Sequence, residues 1–141
     1  MTQPHSYLTF NGNCHEAMNF YKECLDVELS LLQTIGESPL SEKMPVKMKE
    51  CILHTTLIEG ALLLMGSDMT PESGLVKGNS ISLSLSCSSE DELRAYYTKL
   101  SKDGTIEHLI ENSFWGALFG DLTDKYGIYW LLHFDKNQIN Y

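Results

Sequence analysis

The chain is short of cations: ten Lys and Arg stand against nineteen Asp and Glu in 141 residues, a formal net charge of −9. Nucleic acid is a poor partner for such a chain, because phosphate contacts need clustered positive charge. An anionic membrane surface is disfavoured on the same ground, and the charge chiefly serves solubility. No apolar run approaches the roughly 20 residues that cross a bilayer. The opening MTQPHSYLTF has neither the basic flank nor the apolar run of a signal peptide. Cys14, Cys24, Cys51 and Cys87 are scattered, with no C-x-x-C pair. A reduced, cytoplasmic protein fits this pattern. Also missing are the G-x-S-x-G, phosphate-loop and dinucleotide signatures, so those classes receive no support. What is present is an ordinary globular mix, 43% hydrophobic and 21% charged, at a length that suits one compact domain.

The informative feature is an internal repeat. Asn13 and Glu16 have the spacing of a capping box, and Ala17, Phe20, Tyr21, Cys24 and Leu25 then mark one apolar helix face. Ser89, Glu92, Leu93, Tyr96, Tyr97 and Leu100 repeat the box and stripe 76 residues on. Short alternating segments precede each helix, YLTF at 7–10 and SISLSLS at 80–86. Three further strands follow each: about 27–35, 51–58 and 61–66, then about 105–111, 115–123 and 127–134. The last pair in each half is a hairpin, turning at Glu59-Gly60 and around Tyr126-Gly127, where glycine supplies the positive φ of a tight turn. Each half is therefore β-α-β-β-β. The first module spans about 5–68, a linker about 67–79, and the second module about 80–135. The polar segment 36–50 reads as a mobile connection between strands.

The words YLTFNGNCHEAMNFYKECL (7–25), LLLMGSD (62–68) and FWGALFGDLTDKYGIYWLL (114–132) resemble the vicinal oxygen chelate superfamily, and within it the PhnB-like branch. That superfamily includes glyoxalase I, extradiol dioxygenases, and fosfomycin- and bleomycin-resistance proteins. The resemblance implies an α+β fold in which two βαβββ modules form a strongly curved mixed sheet, with helices on the convex side and a pocket in the concavity. It also implies a homodimer. The PhnB-like branch is sometimes labelled 3-demethylubiquinone methyltransferase-like. A methyl donor such as S-adenosylmethionine usually sits on a Gly-rich strand-to-helix turn within a parallel sheet, and the sequence has no such turn.

Enzymes of the superfamily mostly hold a divalent metal through His and carboxylate ligands that converge on the pocket and leave an open position. Matched to this sequence, the first-strand His falls near Ser6 or Tyr7 and the fifth-strand His near Ser80 or Ser82. The last-strand Glu, four residues past the hairpin glycine, falls on Leu131. Serine is a poor transition-metal ligand and leucine is none. A relocated set of His54, Asp121 and His133 is the alternative; His54 and Asp121 correspond when Gly60 is matched to Gly127. Of the thiols, Cys14 with His15 beside it is a better candidate for reactivity than Cys87, which Glu90, Asp91 and Glu92 surround, and the expectation for both is an ordinary small residue.

What remains is a pocket lining. Tyr7 and Thr9 alternate with Leu8 and Phe10, and Ser82 and Ser84 with Ile81, Leu83 and Leu85. Tyr129, Leu131 and His133 share a side of the last strand, with Trp130 turned to the core. Phe114, Trp115 and Phe119 read as core or as anchors of a dimer interface. The expected ligand-binding set is Tyr7, Thr9, His54, Ser82, Ser84, Asp121, Tyr129, Leu131 and His133. The reading is a small-molecule binding protein without metal or other cofactor. A metal-dependent lyase, isomerase or transferase, or a purely structural dimer, are its alternatives.

Overall fold

A computed structural model describes residues 2–43, 45–113 and 116–136 of the chain. It divides into two compact units, Met1–Val76 and Lys77–Tyr141. The first contains β1 (Ser6–Thr9), α1 (Cys14–Leu25), β2 (Leu29–Thr34), β3 (Ile52–Glu59) and β4 (Leu62–Ser67). The second contains β5 (Leu83–Ser86), α2 (Glu90–Leu100), β6 (Thr105–Asn112), β7 (Ala117–Thr123) and β8 (Tyr129–Asp135). The sheets have matching orders, β1-β4-β3-β2 and β5-β8-β7-β6. In each, the first and last strands of the module pair in parallel and the rest are antiparallel. The fold is α+β, built from two repeated βαβββ modules.

Each helix packs on one face of its sheet through the apolar stripe its sequence sets up. In α1 the buried residues are Cys14, Ala17, Met18, Tyr21, Cys24 and Leu25; Phe20 is only half-buried, and Met18 takes its place in the stripe. In α2 they are Leu93, Tyr97 and Leu100. Fully burying one such large side chain contributes about 1.5–3 kcal/mol. A glycine in each sheet admits its helix: a Cβ on Gly66 would lie 3.2 Å from Cys14 Sγ, and one on Gly120 would lie 3.0 Å from Tyr97 Cε2. Residues that alternate with these glycines therefore point to the other face, which no helix of the same unit covers.

The helix starts differ from the sequence expectation in one case. Ser89 caps α2, accepting from Glu92 N–H, while Glu92 accepts from Ser88 N–H. Asn13 makes no side-chain cap bond. Asp68, just past β4, does that work from a distance in sequence: its Oδ1 accepts from Gly12 N–H and Cys14 N–H, each at 2.9 Å, and its Oδ2 from Ile52 N–H at 2.8 Å. One buried carboxylate thus joins the β1–α1 turn, the start of β3 and the end of β4. The 36–50 connection has local structure of its own. It forms three 3-10 turns, Ile35–Glu37, Pro39–Lys43 and Val46–Met48. A Thr34–Glu37 capping box and the bond from Gly36 N–H to Lys49 O fasten it. The connection is built because local backbone and side-chain bonds satisfy its polar groups.

Candidate functional site

The helix-free face of the first sheet is laid out by the register. Tyr7, Met65, Thr56 and Leu31 form one row across β1, β4, β3 and β2. His54 lies two residues from Thr56 on the same face. The Tyr7 hydroxyl is 3.2 Å from His54 Nδ1, and His54 Nε2 is 3.0 Å from Thr56 Oγ1. A neutral imidazole donates from one nitrogen and accepts at the other, so His54 relays between two hydroxyls that can each play either part. The Tyr7 and His54 rings also approach, with centroids 5.6 Å apart. Thr9 follows Tyr7 on this face, paired with Ser67. Towards the β3–β4 hairpin the face continues through the Ile58–Leu63 pair into an open groove of about 730 Å³, which Gln3 and His5 flank. None of the nine sequence-predicted residues lines that groove.

The second sheet repeats the plan with different residues. Ser84, Leu131, Asp121 and His108 form one row, and Ser86, His133, Phe119 and Glu111 the next. Ser86 Oγ lies 3.0 Å from His133 Nε2. Asp121 Oδ1 accepts from His108 Nδ1 at 2.7 Å. Tyr129, paired with Thr123, continues the face at the hairpin end. The register thus gathers Ser84, Asp121, Tyr129, Leu131 and His133 on one surface of one unit. Ser82 stands before the first residue of β5 and is exposed, because the strand runs over 83–86 and not over the whole alternating segment.

Trp130 lies on the helix-covered face, 1% exposed, with its Nε1–H donating to Asp124 Oδ2 at 2.8 Å. Asp124 Oδ1 also accepts from Tyr126 N–H and Ile128 N–H, which closes the β7–β8 turn. Asp124 is structural. Phe114 and Trp115 lie outside the described residues.

Cys14 and Cys87 are ordinary buried residues, as expected. Cys14 is fully buried and its pKa is pushed up to about 12, first by burial and then by the Asp68 carboxylate. Cys87 is likewise pushed up to about 12, by burial and then by Glu92. Nucleophilic chemistry needs the thiolate, so neither is a reactive cysteine at neutral pH. His108 is the residue that sequence reasoning passed over. Strand β6 is bulged on both sides of it, and an alternation count through a bulge gives the wrong face. Within either unit, no three His, Cys, Asp or Glu among the described residues group closely enough to hold a metal. Asp121 is paired with His108 instead.

Comparison with known proteins agrees with this architecture. The model of the family described as 3-demethylubiquinone-9 3-methyltransferase matches residues 3–133. Protein YjdN of Escherichia coli (strain K12) is 31% identical over 140 residues, covering 94% of this chain and 95% of that protein. The crystal structure of protein PA1353 from Pseudomonas aeruginosa superposes with a TM-score of 0.84 at 32% identity, covering 96% of this chain and 98% of the other. The PhnB protein from Bacillus cereus does so with a TM-score of 0.75 at 25% identity, covering 94% and 99%. At the level of fold alone, a glyoxylase/bleomycin resistance protein/dioxygenase domain from Frankia sp. EAN1pec aligns with a TM-score of 0.65 at 13% identity, covering 99% and 95%. The chain belongs to the family described as 3-demethylubiquinone-9 3-methyltransferase, the PhnB-like branch of the vicinal oxygen chelate superfamily.

Proposed function

We propose that this protein binds a small, largely apolar molecule on the helix-free sheet faces, without the metal ligands of the superfamily's enzymes. The observation that carries the reading is the recurrence of hydroxyl–imidazole contacts there, Tyr7–His54–Thr56 in one unit and Ser86–His133 in the other. Each stands beside apolar side chains that no helix of its unit covers: Met65, Leu63 and Ile58 in the first, Leu131 and Phe119 in the second. Apolar walls with a few fixed polar groups are the usual form of a small-molecule site.

The reading is of binding and not of methyl transfer. Both strand-to-helix turns are filled by the chain's own carboxylates, Asp68 at α1 and Glu92 at α2. Those backbone N–H groups are the ones a donor's carboxylate would need, so the turns do not fit such a donor. The reading also takes the protein as a cytoplasmic homodimer. The four free thiols suit a reducing compartment. Edge strands β2 and β6 expose Leu31, Leu32, Ile106 and Leu109, apolar surface that a second copy would cover. A monomer in sedimentation analysis overturns the dimer.

The test is a melting screen against aromatic and antibiotic-like small molecules, run with a chelator and in parallel with added divalent metal. A genuine ligand at about a hundredfold excess over Kd adds about 2.7 kcal/mol, which raises Tm by about 5–10 °C in a chain of this size. The shift is lost in His54→Ala or in His133→Ala. A screen without a hit, or a hit that needs added metal, overturns the reading.

A further inference from the structure

The His108–Asp121 pair stands apart from the hydroxyl–imidazole contacts. Asp121 is largely shielded, its side chain 20% exposed, whereas the His108 side chain is 71% exposed. The 2.7 Å bond from Nδ1–H to the carboxylate fixes the tautomer of a neutral imidazole. The lone pair is then on Nε2, which bonds to nothing among the described residues. Tyr97 donates its hydroxyl to the His108 carbonyl from the other face and leaves the ring free. Glu107, the neighbouring acid, is engaged by Thr123 Oγ1 at 2.9 Å.

The register gives this nitrogen a place to act. Ser84, Leu131, Asp121 and His108 lie in one row across the sheet. Ser84 and Asp121 therefore flank Leu131 at about 10 Å from each other, two strand spacings. A small molecule lying on Leu131 has a hydroxyl at one end of its bed and an imidazole–carboxylate pair at the other. That arrangement, a base held by an acid beside an apolar floor, is the one that general-base chemistry uses.

We infer that His108 accepts the proton of a weakly acidic O–H on a small apolar ligand bound over Leu131, with Asp121 as the positioning residue. The ligand's O–H bond breaks and its electron pair stays on the ligand oxygen. The proton becomes Nε2–H, and Nδ1–H keeps its bond to Asp121. No oxidant, reductant or metal enters the step. The inference rests on the proposed binding reading and deepens it by naming the ligand class.

The probe is 4-nitrophenol, whose anion is coloured, with 4-nitroanisole as the analogue that has no acidic proton. Binding is followed by titration calorimetry, and ionisation by absorbance at a pH where free 4-nitrophenol is mostly neutral. The wild-type protein binds both compounds and raises the ionisation constant of bound 4-nitrophenol about tenfold, the effect of one charge-assisted hydrogen bond. In His108→Gln, which keeps a donor for Asp121 but offers no base, binding of 4-nitroanisole is unchanged and the ionisation gain is lost. In Asp121→Asn the gain falls while both compounds still bind. Binding of both compounds without a gain in ionisation overturns this inference and leaves the binding reading standing. A gain that survives in His108→Gln also overturns it. If neither compound binds, this inference fails together with the placement of a ligand over Leu131.

Discussion

Replacing Asp68 tests how the first unit is held together and how its site is positioned. The side chain is 5% exposed and accepts three backbone N–H groups, from Gly12, Cys14 and Ile52, at 2.8–2.9 Å. In Asp68→Asn the remaining oxygen can serve Gly12 and Cys14, but the new amide NH2 faces the Ile52 N–H. That loses one charge-assisted bond, worth about 1.5–3 kcal/mol, and leaves a buried donor unpaired. Removing the negative charge from the N-terminus of α1 adds about 0.3–1 kcal/mol. The expected loss is about 2–4 kcal/mol, and Asp68→Ala, which orphans all three donors, loses more. Urea unfolding with an unchanged m-value measures it. Because β3 begins at Ile52 and carries His54, Asp68→Asn also loosens the Tyr7–His54 contact, visible as a change in the His54 ring resonances. A loss below about 1 kcal/mol, or equal losses for Asn and Ala, refutes the reasoning.

Cys14 and Cys87, the thiols raised furthest, give the protein an alkaline limit. Both stay protonated in the folded state up to about pH 12, whereas an unfolded thiol ionises near 9.0. The unfolded state alone releases protons between those values, so their contribution is full below pH 9 and is lost as pH rises towards 12. Cys14→Ala flattens that decline in denaturant titrations, and a slope unchanged by it contradicts the assignment. The two glycines beneath the helices differ in what they tolerate. A Cβ on Gly120 would lie 2.9 Å from Ile110 Cγ1 and 3.0 Å from Tyr97 Cε2, whereas one on Gly66 would meet sulfur atoms at 3.2 and 3.3 Å. Gly120→Ala should cost about 1–3 kcal/mol and Gly66→Ala less, as read from unfolding midpoints.

The duplicated plan was legible because its signal is periodic. Two helices with the same apolar spacing and two hairpins with a glycine at the turn define the modules without any contact information. The single-residue alternation also placed Tyr7, Thr9, Ser84 and His133 on the faces they occupy. What sequence could not supply is long-range polar pairing. Asp68 reads as part of a linker, yet it caps a helix 54 residues away, and Asn13, the local candidate, makes no side-chain cap bond. The bulges of β6 hide His108 from an alternation count. Cys14 at a helix start is an ordinary buried thiol, as expected, but the Asp68 carboxylate that helps raise its pKa comes from beyond β4. In each case a residue's partner comes from another strand or turn, and tertiary structure decides its chemistry.

The central claim is a binding surface that works without a divalent metal. Its most direct test is elemental analysis of the untagged protein, with melting curves in nickel, cobalt, manganese, zinc and chelator. The account predicts no stoichiometric metal and no metal-specific shift in Tm. A stoichiometric metal, or a large shift with one ion that His54→Ala, Asp121→Asn or His133→Ala abolishes, would contradict it and make those three side chains ligands.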